Sequence, residues 1–200
     1  MSPKLLTVPT LVLLTALLAA CSPAAVEAPE AEAASPTPEI VQTPEPTTPD
    51  GSRDLPWLPG TSAQFGSTSV WTFVVGDTSP DQWPAIAAAN EFSTPPAEGN
   101  MFITAPVKLE VADNEQTASG ADPWGSFSIT YVTAAGTTAG ECMGSLPAPG
   151  DLYDVGTMYG GASVEFLACA EVAADQVAGG TWAVRSLIDG ALVIFYRGTE

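Results

Sequence analysis

Between Met101 and Val111 the chain alternates. Met101, Ile103, Ala105, Val107 and Leu109 fall on one side, and Thr104, Lys108 and Glu110 on the other. A period of two belongs to a β-strand with one buried face, so this segment commits the chain to a sheet and to a second layer covering it. Pro106 has no N–H to give to a ladder, which predicts that the strand lies at an edge or carries a bulge. The same pattern predicts strands over Val70 to Val75, Phe127 to Thr133 and Gly161 to Cys169. In the second of these Phe127, Ile129 and Tyr131 share a face, and Ala134-Ala135-Gly136 follows as a turn. Trp182 to Ile188 and Ala191 to Tyr196 flank Asp189-Gly190, a dipeptide suited to a two-residue type I′ hairpin because both positions accept positive φ. Helical signal is confined to Ala85 to Asn90 and Glu171 to Ala178, a turn or two each. Many short strands with Gly and Pro between them, and no alternating helices, predict an all-β fold, an antiparallel sandwich over residues 60–200. About 140 residues are enough for one domain with its own core.

The region before this domain has a different composition. Residues 21–59 are rich in Pro, Ala, Glu, Thr and Ser, with nine prolines from Pro23 to Pro59. Such a segment cannot bury enough apolar surface to offset the entropy of ordering it, so it reads as a disordered tether. Its reach lies between roughly 35 Å as a coil and 115 Å as extended polyproline II. Thr37, Thr43, Thr47 and Thr48 beside prolines are compositional candidates for O-glycosylation. Trp57, where the tether ends, is placed to dock on the adjoining domain.

Residues 1–20 carry one cation, Lys4, and then about 16 nearly continuous apolar residues from Leu5 to Ala20. A spanning helix needs ~20, so the stretch reads as a signal peptide rather than a membrane span. It ends Leu18-Ala19-Ala20-Cys21, which resembles the bacterial lipobox. Cys21 would then be the first mature residue, its thiol carrying diacylglycerol and its amine a further acyl chain such as palmitate. Two or more chains anchor a protein stably, so the expected location is the extracytoplasmic side of the cell membrane, with Cys21 as the contact to it.

Composition excludes several functions. The chain has 5 Lys and Arg against 23 Asp and Glu, a net charge of −18, and no histidine. Nucleic acid, which is bound through clustered cations, is not an expected partner. The missing histidine removes the commonest general base and the commonest zinc ligand. No GxSxG elbow and no Walker, Rossmann or zinc motif is present. The carboxylate groups Asp77 with Asp81, Asp151 with Asp154, and Asp113-Asn114-Glu115 fall in expected loops, where acidic residues serve turns and solubility. No enzyme activity and no cofactor are therefore expected. Calcium is the remaining metal reading, with Asp113, Asn114 and Glu115 as its candidate ligands, although no DxDxDG-type loop occurs. Cys142 and Cys169 are the other two cysteines. In an exported chain they are expected to form a disulfide, since no CxxC spacing or nearby base favours a metal pair or reactive thiol. Trp71 and Trp182, in expected strands, are assigned to the core; Trp83 and Trp124, in expected loops, are the candidates for a partner surface.

Two segments carry a resemblance. Asn90-Glu91-Phe92-Ser93-Thr94-Pro95-Pro96-Ala97-Glu98-Gly99-Asn100-Met101-Phe102, followed by the alternating strand, resembles the opening hairpin of a domain found in actinobacterial lipoproteins. Asp154-Val155-Gly156-Thr157-Met158-Tyr159-Gly160-Gly161, then Cys169, then Ala174-Asp175-Gln176-Val177-Ala178-Gly179-Gly180-Thr181-Trp182, is similar to its second half. The family is related to the mycobacterial immunoprotective extracellular protein. The likeness covers roughly Phe65 to Tyr196 and implies an immunoglobulin-like β-sandwich behind a lipobox and tether. It implies no activity, because turns and strand entries specify a fold and not a site. The expected function is presentation of that sandwich outside the membrane to a protein or cell-wall ligand, with a passive envelope component as the alternative.

Overall fold

The computed structural model describes residues 48–66, 71–142, 145–188 and 192–199. Cys21, Thr37, Thr43, Thr47 and the Asp189-Gly190 pair lie outside them. Two antiparallel sheets face each other. One holds five strands in the order β1 (Ser62–Phe65), β2 (Trp71–Val75), β3 (Asn100–Val111), β6 (Ser163–Ala173) and β5 (Gly140–Glu141); the other holds β4 (Phe127–Val132), β7 (Thr181–Ser186) and β8 (Val193–Arg197). With β1 set aside, the order is β2-β3-β6-β5 against β4-β7-β8. That is the constant-type immunoglobulin arrangement of strands A, B, E and D against C, F and G, with one strand added outside A.

The alternation expected of β3 is borne out: Ile103, Ala105, Val107, Leu109 and Val111 are buried in the shared core. Phe73 and Phe127, one from each sheet, meet edge-on at 4.4 Å between ring centroids, and Trp71 meets Phe127 at 5.6 Å. Trp71 and Trp182 are both buried, as expected.

Pro106 does not mark an edge. β3 lies between β2 and β6, and its register with β6 runs unbroken from Asn100 to Glu110. The Pro106 carbonyl accepts from Gly76 N–H, so the position where an N–H is missing faces the side on which β2 has just ended. Pro106 thus accepts from Gly76 but cannot return the bond, and β2 ends at Val75, beside the one ladder bond that is lost. A Cβ on Gly76 would come within 2.7 Å of Pro106 Cγ, so the crossing requires glycine.

Other elements shift from the sequence expectation. The first helical turn is α1 (Trp83–Ala89). Its Ile86 is buried and Trp83 lies against Phe102 on the outer face of β3, at 6.3 Å. Glu171 to Ala173 are strand rather than helix, and only Ala174–Gln176 form a 3-10 turn. Residues 90–99 form no hairpin; they run as a loop from α1 into β3, held where Glu171 Oε1 accepts from Ala97 N–H and Asn100 Nδ2 at 2.8 and 2.9 Å. Gly99 takes the turn conformation expected of it, φ +84°. Arg185 pairs with Val193, one residue out from the register that a two-residue loop at Asp189-Gly190 would impose.

Residues 51–58 belong to the folded unit. Trp57 forms a parallel bridge to Tyr196, donating to Phe195 O and accepting from Arg197 N–H, and its ring meets Tyr196 edge-on. The expected docking of Trp57 is therefore a backbone pairing that covers the outer edge of β8. Among the described residues no helix is long and apolar enough to cross a membrane.

Candidate binding groove

The opposite side of the sandwich is less covered. Strand β4 is an edge of its sheet, and β5 is an edge of the other sheet only two residues long. Between them opens a groove of about 280 Å³ with Phe127, Phe166 and Ala168 at its base and Ile129, Leu146 and Leu167 on its walls. A larger hollow of about 580 Å³ is bounded by Pro149 and one continuous stretch, Asp154 to Glu165, and so lacks an opposing wall.

Two short turns build the mouth. α2 (Pro123–Ser126) starts with proline at a first-turn position, where its missing N–H costs nothing, and closes by Phe127 N–H donating to Pro123 O. Ser126 Oγ adds a bond to Asp122 O at 2.6 Å. Trp124 projects from this turn and is 54% exposed. The second is the 3-10 turn Leu152–Asp154. Asp151 Oδ1 accepts from Tyr153 and Asp154 N–H while Asp154 Oδ2 accepts from Asp151 N–H, a reciprocal capping box. The Asp151 and Asp154 carboxylates thus close a turn, the role expected of acidic residues in loops. That turn sends Leu152 toward the core and leaves Tyr153 72% exposed. The rings of Trp124 and Tyr153 lie 6.2 Å apart, and Leu187, 52% exposed, lies in the same groove.

The disulfide holds the other wall. Cys142 and Cys169 are bridged, as expected, with Cα atoms 5.7 Å apart. Glu141 pairs with Ala170, so the bridge falls at the next cross-strand position and fastens β5 to β6. It joins neighbours in one sheet, unlike the inter-sheet bridge of antibody domains.

The remaining expected site residues do not converge. Asn114 Oδ1 accepts from Gln116 and Thr117 N–H at 3.0 and 3.1 Å, and Thr117 Oγ1 donates to Ala112 O, so the calcium candidates Asp113, Asn114 and Glu115 form a self-bonded loop. Among the described residues no group of three His, Cys, Asp or Glu could hold a metal. Asp77 and Asp81 are exposed. Trp83 and Trp124 do not act together, because Trp83 packs on Phe102; the partner of Trp124 is Tyr153, which sequence reasoning missed. Its signal was the Asp-Leu-Tyr-Asp string, a capping box that leaves its third residue facing outward.

Backbone polarity completes the site. Ala139 N–H donates to Tyr131 O at 2.8 Å on the side away from β7, which fixes odd-numbered residues of β4 as those pointing outward. Residues 137–139 cover that edge at Tyr131 and Thr133. Further along, at Ile129 N–H, Ile129 O and Phe127 O, no partner is found among the described residues. Glu141 and Asp151 line the groove, and among the described residues no Lys or Arg does.

The fold and this site define an immunoglobulin-like β-sandwich in which the open outer edge of β4 lies beside an apolar groove. No family model, curated protein or solved structure matches the chain.

Proposed function

We propose that the protein is a lipoprotein held on the extracytoplasmic face of the cell membrane through Cys21, and that its sandwich binds a protein or cell-envelope ligand in the groove between β4 and β5. The observation that carries the binding reading is the cluster of Trp124, Tyr153 and Leu187, each more than half exposed, around an apolar hollow. Large apolar side chains kept in water together, on turns built to project two of them, are the usual anchors of an interface. The disulfide supports an oxidising compartment. The leader ending at Cys21 and the Pro-rich tether support anchorage and reach. The resemblance to actinobacterial lipoproteins of immunoglobulin-like fold agrees with both.

A photoreactive residue placed at Tyr153 or Leu187, and at Lys108 as a control on the outer face of β3, tests the binding reading in intact cells. The expected result is one discrete adduct from both groove positions and none from Lys108. The same adducts from all three positions, or none from any, would make the domain a passive envelope component. Anchorage is checked by fractionation: Cys21→Ser is expected to abolish acyl labelling, and unchanged labelling would refute the assignment.

A further inference from the structure

The groove and the bare edge of β4 lie together, and their combination restricts what the ligand can be. Ile129 presents an N–H and a C=O, and Phe127 a C=O, along a line in the plane of the sheet. An unpaired edge of this kind is completed by another extended backbone, and natural proteins blunt such edges with Lys, Pro, bulges or covering segments. Here β8 is covered by Trp57 and the far end of β4 by residues 137–139, while among the described residues Phe127–Ile129 carries none of those devices. Side chains of an added strand alternate, so every second one would enter the apolar groove. Glu141 and Asp151 in that groove, on a chain of net charge −18, select against an acidic segment and against a second copy of this chain.

We propose that the groove takes an extended, cationic peptide segment of another protein, which adds as a strand to the outer edge of β4 and places apolar side chains between the sheets. This rests on the binding reading above and names the partner's chemistry. Affinity would come from backbone pairing and apolar burial, and charge would choose among partners and speed their arrival.

The test uses the full chain and the capped peptide Lys-Val-Thr-Val-Thr-Val-Lys, followed by titration calorimetry and amide exchange. The peptide is expected to bind and to slow exchange of the Ile129 amide. Its twin with Glu at both ends is expected to bind at least tenfold more weakly, and Glu141→Lys in the protein to narrow that difference. Two further peptides, N-methylated on the Val or on the Thr amides, separate strand addition from simple charge attraction. One of them should bind like the parent and the other at least tenfold more weakly, because only one edge of an added strand faces β4. Equal binding by both methylated forms overturns strand addition, and equal binding by the acidic twin overturns the charge preference. Protection of Ile129 that rises with protein concentration and no peptide would mean pairing between copies and would also overturn the proposal. Absence of peptide binding while Tyr153 and Leu187 still yield a discrete adduct in cells would sink strand addition and leave the binding reading standing.

Discussion

Two contacts with glycine fix how this sandwich closes. Gly76 meets Pro106 where β2 ends, and Gly180 meets the Tyr131 ring, a Cβ there falling 2.5 Å from its atoms. Gly180 and Tyr131 are buried in the close-packed interior, where such a contact does not relax freely, so Gly180→Ala is expected to cost about 1–3 kcal/mol in chemical denaturation. Gly76→Ala should cost a similar amount, and less in a Pro106→Ala background; a double-mutant cycle with no coupling would contradict the stated role of Pro106. The proline itself was visible in the sequence, but its consequence was not. Where β2 stops relative to residue 106 is a tertiary fact, and it decides whether a missing donor matters. Tyr131 and Tyr196 add a pH dependence. Burial raises both phenols above their ordinary value of 10.0, with Tyr131 donating to Val177 O and Tyr196 to Phe73 O. A raised folded pKa contributes stability that is whole below the unfolded pKa and is lost as pH climbs past it. Melting temperature should therefore hold steady to about pH 9 and fall above about pH 10, and Tyr196→Phe should flatten part of that fall.

Among the elements, β3 and β4 were legible because the period of two is imposed by the layer beneath, while β6 was read only as far as Cys169 and its last residues, Glu171 to Ala173, were taken for helix. Pairing partners were not readable, since β3 pairs with strands on both sides and its alternation is the same as an edge strand's would be. The hairpin between β7 and β8 shows the same limit: Asp-Gly signals a turn, yet the register is set by packing of Trp182 and Val184 in the core and comes out one residue away. Of the site, the disulfide was legible from two cysteines in a chain read from its leader as exported. The mouth was half legible, since Trp124 beside Pro123 suggested an exposed ring while Tyr153 emerged only once the Asp151 and Asp154 capping box was seen. β5 is the element least able to hold itself, with two residues of pairing. Removing its bridge by the double change Cys142→Ser and Cys169→Ser closes no loop in the unfolded chain and is expected to cost about 3.5 kcal/mol in denaturant unfolding. It should also weaken binding in the groove, because Cys142 and Cys169 both line it.

At the scale of the whole molecule, a strongly acidic sandwich leaves one side of its sheets open, and that side holds the exposed aromatic side chains of two turns. The claim under the addition of a peptide strand is that β4 has a free outer edge at Ile129. Amide hydrogen exchange of the unliganded protein tests it most directly. Ser128 and Thr130, whose N–H groups point to β7, should be strongly protected, while Ile129 between them exchanges far faster despite sitting in the same strand. Protection of Ile129 equal to that of its two neighbours would show the edge already occupied, and would contradict the account.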